Sequence, residues 1–543
     1  MNELSKIFLN ASDNTEIKLQ KNKIYDVAQD DSFALAGFFC SNSAKQEENP
    51  DGTRYTAVYL NNKKNIIIDG NGAEIVVHGK MTPMLFYGCE NITVKNLTID
   101  YAVPTMTEFT VLESDKGNIT IKINKDCLWR VDGSTLYWHG ETAADGSFYW
   151  ENACNAPKRY IKVFDPLTEA TRDFGREDLA FSEISVIGEN ILKCELTKKE
   201  LNINKGDIFQ TRNIIRDQVG SMFERCKDLT FENLRIKFMH GLGMVNQFCE
   251  NVTFRNCDFT PKDGRTIAST ADFFQFSGCR GNIIIDNCKA SGAQDDFVNV
   301  HGTHHRIIET DKTEKNITVR FMHAESWGFQ AFESGDEIEF IRWDTLKPFA
   351  SSKVISFQKL NNTDIKLKVS DIPDGIIAGR DVVENITFTP NLYVRNCLFG
   401  PTSGRGILAT TRGEVIIENN RFYKLWGPAL LIEDDCNFWF ESGLTKERTF
   451  RNNDVISCNF GKTWEGSPVI QYTPKVMNEE YDGFVHGKLN VYKNRFTEPL
   501  NGKHTFFLEY LEKAEIYDNY FDAEFEIVSD KCGIISENDN KIT

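Results

Sequence analysis

One residue type, returning at one kind of place, limits what this chain can fold into. An Asn follows a short alternating strand in CENITVKNLTI (89–99), DLTFENLRI (228–236), NVTFRNCDF (251–259), NIIIDNCKA (282–290), LYVRNCLF (392–399), VIIENNRF (415–422), TFRNNDVI (449–456), NVYKNRF (490–496) and EIYDNYF (515–521). The repeated residues are Asn96, Asn233, Asn256, Asn287, Asn396, Asn419, Asn452, Asn494 and Asn519. Neighbouring copies lie 23 residues apart for Asn233 to Asn256 and for Asn396 to Asn419, and 25 apart for Asn494 to Asn519. A period of that size, with short strands and no helical pattern, predicts a β-solenoid. Asn suits the corner between two strands because it tolerates left-handed backbone angles, and stacked copies can bond along the axis. A β-sandwich with Asn-rich turns has no reason to keep the copies in phase.

The cysteines follow the same phase. Cys89, Cys226 and Cys249 stand seven residues before their Asn, and Cys257, Cys288 and Cys397 directly follow theirs. They read as small buried wall fillers. No CxxC pair and no tight His/Cys cluster points to zinc, and no metal or other cofactor is expected.

Two strand-rich stretches interrupt the repeat. They share a Gly-Asp before alternating apolar residues, Gly206-Asp207-Ile208 and Gly335-Asp336-Glu337-Ile338. Long structureless loops are improbable, so each is expected to be a small inserted β-barrel. The expected organisation is all-β: solenoid coils over 1–104, an inserted barrel over 105–225, catalytic coils over 226–304, a second barrel over 305–390, and C-terminal coils with a cap over 391–543.

A formal net charge of −17 argues against nucleic acid and anionic membrane surfaces, and disfavours a polyanionic carbohydrate. No apolar run reaches the length of a membrane span. The N-terminus, MNELSKIFLNASDNTEIKLQ, lacks the apolar core of a signal peptide, which leaves localisation open between the cytoplasm and export with a removed leader.

The chemistry concentrates in TADFFQFSGCRGNIIIDNCKASGAQDDFVNVHGTHHR (270–306). Two segments share one pattern: Asp272-Phe273-Phe274-Gln275-Phe276 and Asp296-Phe297-Val298-Asn299-Val300. Counting from the repeated Asn places Asp272 and the pair Asp295/Asp296 at the same position on consecutive coils, with Asp296 the nearer equivalent of Asp272. Adjacent strands lie ~4.8 Å apart, so these carboxylates should face one another. Like charges that close raise at least one pKa, and one protonated plus one ionised carboxyl is what glycosidic hydrolysis requires. Around this rung, Arg265, Gln275, Asn299, His301, His304, Arg405, Arg412 and Glu433 are candidates for binding sugar hydroxyls, and Trp327 is a candidate stacking platform with Trp426 a further one. His305 completes a histidine trio that lacks zincin spacing.

The solenoid, the TADFFQF and QDDFVNVHGTHH segments, GRGILATTR (404–412) and the two insertions resemble glycoside hydrolase family 110. That resemblance covers most of the chain. It implies a right-handed parallel β-helix with inserted β-barrels, exo-acting and inverting hydrolysis without a metal, and an oligosaccharide partner ending in α-1,3-galactose, whether branched blood-group B type or linear. It implies Asp272 as general acid with Asp295 and Asp296 on the base side; related pectin-hydrolysing solenoids take their acid from the Asp-Asp pair instead. It also implies export to the periplasm or medium. Two alternatives stand beside it. A polygalacturonase-like enzyme would share the three Asp but lacks here the Gly-His-Gly and Arg-x-Lys segments. A glycan-binding solenoid without catalysis explains the fold but not the carboxylate rung.

Overall fold

The computed structural model describes every residue except 157–158, 175–178, 462–466 and 501. Strands stack in parallel along three faces. Two faces are sheets of twelve strands, one running from Thr15–Lys18 to Ile534–Asn538 and the other from Ile24–Ala28 to Lys541–Ile542. The third face is a succession of parallel pairs that includes Val219–Glu224, Leu242–Gln247, Phe274–Ser277, Val298–Asp311, Ile407–Ala409 and Leu430–Ile432. This is a parallel β-helix, with one apolar core running its length.

The corners explain the sequence repeat. Asn96, Asn233, Asn256, Asn287, Asn396, Asn419 and Asn452 all have positive φ, the left-handed angles that Asn tolerates best among residues with a side chain. Several are bonded coil to coil, as in Asn233 Nδ2 to Asn96 Oδ1 at 3.2 Å and Asn287 Nδ2 to Asn256 Oδ1 at 2.7 Å. Asn494 and Asn519 are different. The left-handed residue there is the one before, Lys493 or Asp518. In the strand register Asn494 is level with Asn453, not with Asn452. These two Asn belong one step on, in the phase of Cys257, Cys288 and Cys397. An inward ladder begins where the thiols stop: Cys397 N donates to Asn420 Oδ1, Asn420 N to Asn453 Oδ1, Asn453 N to Asn494 Oδ1 and Asn494 N to Asn519 Oδ1, each at 2.9 or 3.0 Å. Buried amides persist there because each is bonded to its neighbour. All fourteen cysteines are free thiols, thirteen of them buried.

The first insertion forms a seven-stranded antiparallel sheet that includes Thr107–Asp115, Arg159–Asp165 and Ile208–Asn213, with a three-stranded companion of Leu128–Asp132, Thr135–His139 and Glu151–Ala153. The second closes on itself. Its strands pair antiparallel in the cycle Val298–Asp311, Asn316–Arg320, Asp364–Val369, Pro348–Lys359, Glu337–Ile341, Val382–Asn385 and back to the first. Each insertion has its own core. Val298–Asp311 belongs to both the solenoid and this barrel, so the second insertion grows directly out of the strand that follows Asp295 and Asp296.

Candidate active site

Phe274 pairs with Val298 on the third face, which puts Asp272 and Asp296 level just before those strands. Asp296 N donates to Asp272 Oδ1 at 3.2 Å. Taking one oxygen from each, Asp272, Asp295 and Asp296 lie within 4.8 Å of one another. Asp272 and Asp296 are buried, whereas the Asp295 side chain is 32% exposed.

Two guanidinium groups bind this cluster. Arg405 Nε and Nη2 bond Asp296 Oδ1 and Oδ2 at 2.5 and 2.8 Å, a two-pronged grip, and Nη2 also reaches Asp295 Oδ1 at 3.2 Å. Arg216 Nη2 bonds Asp295 Oδ2 at 3.2 Å, and its Nη1 donates to the Asn42 carbonyl. Arg405 can lie there because Gly404 precedes it: a Cβ on Gly404 would stand 1.7 Å from the Asp295 carbonyl oxygen. The negative charge that a bound cation would otherwise offset is therefore already met in part by two fixed arginines.

The same arrangement splits the three acids. Burial, and then the charges of Asp295 and Asp296, push Asp272 well above the usual carboxylate range. Burial pushes Asp296 up to about 7 against the pull of Arg405. Burial also raises Asp295, but Arg405, Arg216, Lys162 and Arg212 together hold it below its ordinary value. Lys162 comes from the first insertion, is itself buried, and is brought down to about 8 by that burial; it donates to the Ser403 carbonyl at 2.7 Å and sits 4.4 Å over the Trp426 ring.

The remaining candidates divide. Gln275, Asn299 and His301 are buried beside the cluster on the two strands that follow its acids. His301 Nδ1 donates to the Gly302 carbonyl at 2.7 Å, so its Nε2 accepts from Gln275 Nε2 at 2.8 Å. Gln275 Oε1 and Asn299 Oδ1 are buried with no partner among the described residues, which is unusual for a native interior and marks polar capacity held for water or ligand. Glu433 lies further along the same face, 3.2 Å from Lys475, and its charge acts on Arg405. His304 is buried against Asp434 at 2.8 Å, and His305 packs on Phe321 and Phe332, with burial bringing it down to about 3.

Three candidates are corrected by their surroundings. Arg265 does not face the groove: its buried guanidinium bonds Glu108 at 2.6 Å and Asp126 at 3.0 Å and ties the 260–270 loop to the first insertion. Arg412 pairs with Glu384 and, at 2.8 Å, with Glu339 of the second barrel. Trp327 is buried, with Nε1 donating to the Ala44 carbonyl at 2.9 Å and its ring 4.7 Å from that of Phe39, so it offers no face to a sugar. An exposed ring stands elsewhere. Trp439 is 46% exposed and lies 4.3 Å from the His323 ring, two residues before Glu441, whose charge acts on Asp296. The Asp435 carboxylate fixes that loop by accepting from the backbone of Asn437, Phe438 and Trp439.

Residues 316–383 match the family model described as GLAA-B beta-barrel domain II. The chain is 34% identical to "Alpha-1,3-galactosidase A" of Bacteroides fragilis over 463 residues, covering 84% of this chain and 74% of that protein. It is 36% identical to "Alpha-1,3-galactosidase A" of Akkermansia muciniphila, covering 82% and 72%, and 30% identical to "Alpha-1,3-galactosidase B" of Bacteroides thetaiotaomicron, covering 90% and 80%. With that identity over most of the chain, this protein is a glycoside hydrolase and belongs to the α-1,3-galactosidase family, glycoside hydrolase family 110.

Proposed function

We propose that this protein is an exo-acting, inverting hydrolase that removes terminal α-1,3-linked galactose from the non-reducing end of a glycan. The observation that carries the chemistry is the split among the three acids: Asp272 has no ion pair among the described residues and is pushed well above the usual carboxylate range by burial and two acidic neighbours, while Asp295 is paired with two arginines and held below its ordinary value. Environments that push acids apart in this way assign the proton donor and the base. Asp272 protonates the departing glycosidic oxygen, and Asp295 with Asp296 orients and deprotonates the attacking water. Substitution Asp272→Asn is expected to lower kcat by ~10³-fold or more while leaving thermal unfolding nearly unchanged.

Exposure favours the opposite division. Asp295 is the one acid open to the cleft, where a glycosidic oxygen can reach it. An aryl α-galactoside with a good leaving group separates the two, since a lost acid matters little when the departing group needs no proton. Under the first division Asp272→Ala keeps activity on that substrate and Asp295→Ala does not; the reverse result assigns the acid to Asp295. Proton NMR of the first product decides: early β-galactose establishes inversion, and early α-galactose establishes retention.

A further inference from the structure

A stretch without helix or strand, 36–53, joins Phe33–Leu35 to Arg54–Thr56, yet residues 40–44 within it are all buried. Loops ordinarily run over the surface, because a buried one must find partners for its backbone. This one finds them on the solenoid and on the second insertion. Ser41 N donates to Gln247 Oε1 at 3.0 Å, and Gln247 Nε2 donates back to the Phe39 carbonyl at 2.9 Å. The Glu325 carbonyl accepts from Ser43 N at 3.1 Å, and Trp327 Nε1 donates to the Ala44 carbonyl at 2.9 Å. Gln247 is level with Ser277 and His301 in the strand register, so the buried stretch reaches the coils that carry the acids.

Asn42 stands at its centre, and each of its polar atoms has a partner. Its φ of 60° is left-handed, an angle Asn adopts at little cost. Ser326 Oγ accepts from its N–H at 3.1 Å and donates to its Oδ1 at 2.9 Å. Its carbonyl accepts from Arg216 Nη1 at 3.3 Å, while Nη2 of the same guanidinium holds Asp295 Oδ2 at 3.2 Å. Its Nδ2 donates to Glu441 Oε1 at 2.5 Å. Glu441 opens the short strand Glu441–Ser442, which pairs with Gly302 and Thr303 on the strand that follows the acid pair, and its charge raises Asp296. One buried residue thus fixes both the cation that grips Asp295 and the anion that acts on Asp296.

We propose that Asn42 is a positioning residue for the hydrolysis: its carbonyl steadies Arg216 on Asp295, and its amide steadies Glu441 against the strand that leaves Asp296. This rests on the galactosidase reading above. The test exchanges donor and acceptor across the bond between Asn42 and Glu441. Asn42→Asp removes the donor and sets a second carboxylate against Glu441. Adding Glu441→Gln restores a hydrogen bond with the roles reversed and the wild-type number of charges. On an aryl α-galactoside, Asn42→Asp should lower kcat about tenfold while KM stays within about twofold. It should also move both limbs of the pH–rate profile upward, since an added negative charge raises every acid near it. The double variant should recover kcat to within about threefold of wild type and return both limbs. Asn42→Gly keeps the left-handed backbone and carries the test where Asn42→Asp fails to fold: kcat should fall about fivefold in the wild-type background and not in Glu441→Gln. Single variants with wild-type kcat and pH limbs would overturn the assignment. So would a double variant no better than Asn42→Asp, or a loss that follows a lowered unfolding temperature with unmoved limbs. Wild type that releases no galactose from galactose-α-1,3-galactose overturns the galactosidase reading, and this assignment with it.

Discussion

The two insertions meet the same cleft and treat it in opposite ways. The first brings cations: Lys162 and Arg212 from its strands and Arg216 from its return segment all act on Asp295. The second brings acids and rings: Glu339 and Glu384 onto Arg412, Glu325 near Arg216, and His323 against Trp439. Coulomb interactions in a poorly hydrated cleft are strong enough for that asymmetry to decide protonation. The solenoid register alone would make Asp272 and Asp296 equivalent. Arg405 on the next coil acts on Asp295 and Asp296 alike, and what sets Asp295 apart is added from outside the solenoid by Arg216, Lys162 and Arg212 of the first insertion.

Removing a cation from the first insertion should therefore have the larger catalytic effect. Arg216→Met is expected to lower kcat/KM by ~10²-fold, the scale of one lost preorganised donor. It should also move the pH profile in a set direction. Arg216 is one of the groups holding Asp295 below its ordinary pKa, so without it Asp295 stays protonated to higher pH. With Asp295 as base, the acid limb of kcat/KM shifts upward, and the alkaline limb, set by the raised Asp272, moves up with it because Arg216 lowers Asp272 as well. A pH–rate profile with an unmoved acid limb would separate the first insertion from the protonation of the site.

Removing a cation that the second barrel holds should act on stability instead. Arg412→Met leaves the buried Glu384 and its neighbour Glu339 without their partner, a change that destabilises by ~3 kcal/mol when a buried pair is broken on one side. Denaturant unfolding should show the loss, and adding Glu384→Gln should recover much of it because the uncompensated charge is gone. Unfolding that matches wild type would mean the pair does not hold the barrel to the solenoid.

How much of this was legible in the sequence follows from what repeats. The corner Asn recurs because each coil needs a left-handed residue, so the solenoid and the level placement of Asp272 with Asp296 could be read by counting. Counting failed by one at Asn494 and Asn519, where Lys493 and Asp518 take the left-handed corner and the Asn turns inward to continue a ladder. Arg405 was within reach because it lies on the next coil. Arg212 and Lys162 were not, since they arrive from an antiparallel sheet whose path back to the groove has no period to count, and Arg216 follows on the segment that returns from it. Residue type also misled: Arg265 is as basic as Arg216 but is consumed by Glu108 and Asp126.

Tryptophan gives the same lesson on a smaller scale. Trp327 and Trp439 are equal in chemistry, but Trp327 packs into the barrel while Trp439 stands on a loop turned outward by Asp435. The one available signal was Asp435 itself, since an Asp accepting from the backbone of the residues just ahead makes a turn rather than a strand. Trp439 is partly exposed and stands against His323 of the second insertion. A sugar on the leaving side of the bond would meet it there. Trp439→Ala should then raise KM for the disaccharide by ~3- to 10-fold, the worth of one aromatic contact, while leaving an aryl α-galactoside unaffected. Equal loss on both substrates would place the ring on the galactose side and reverse the orientation of the glycan across the two insertions.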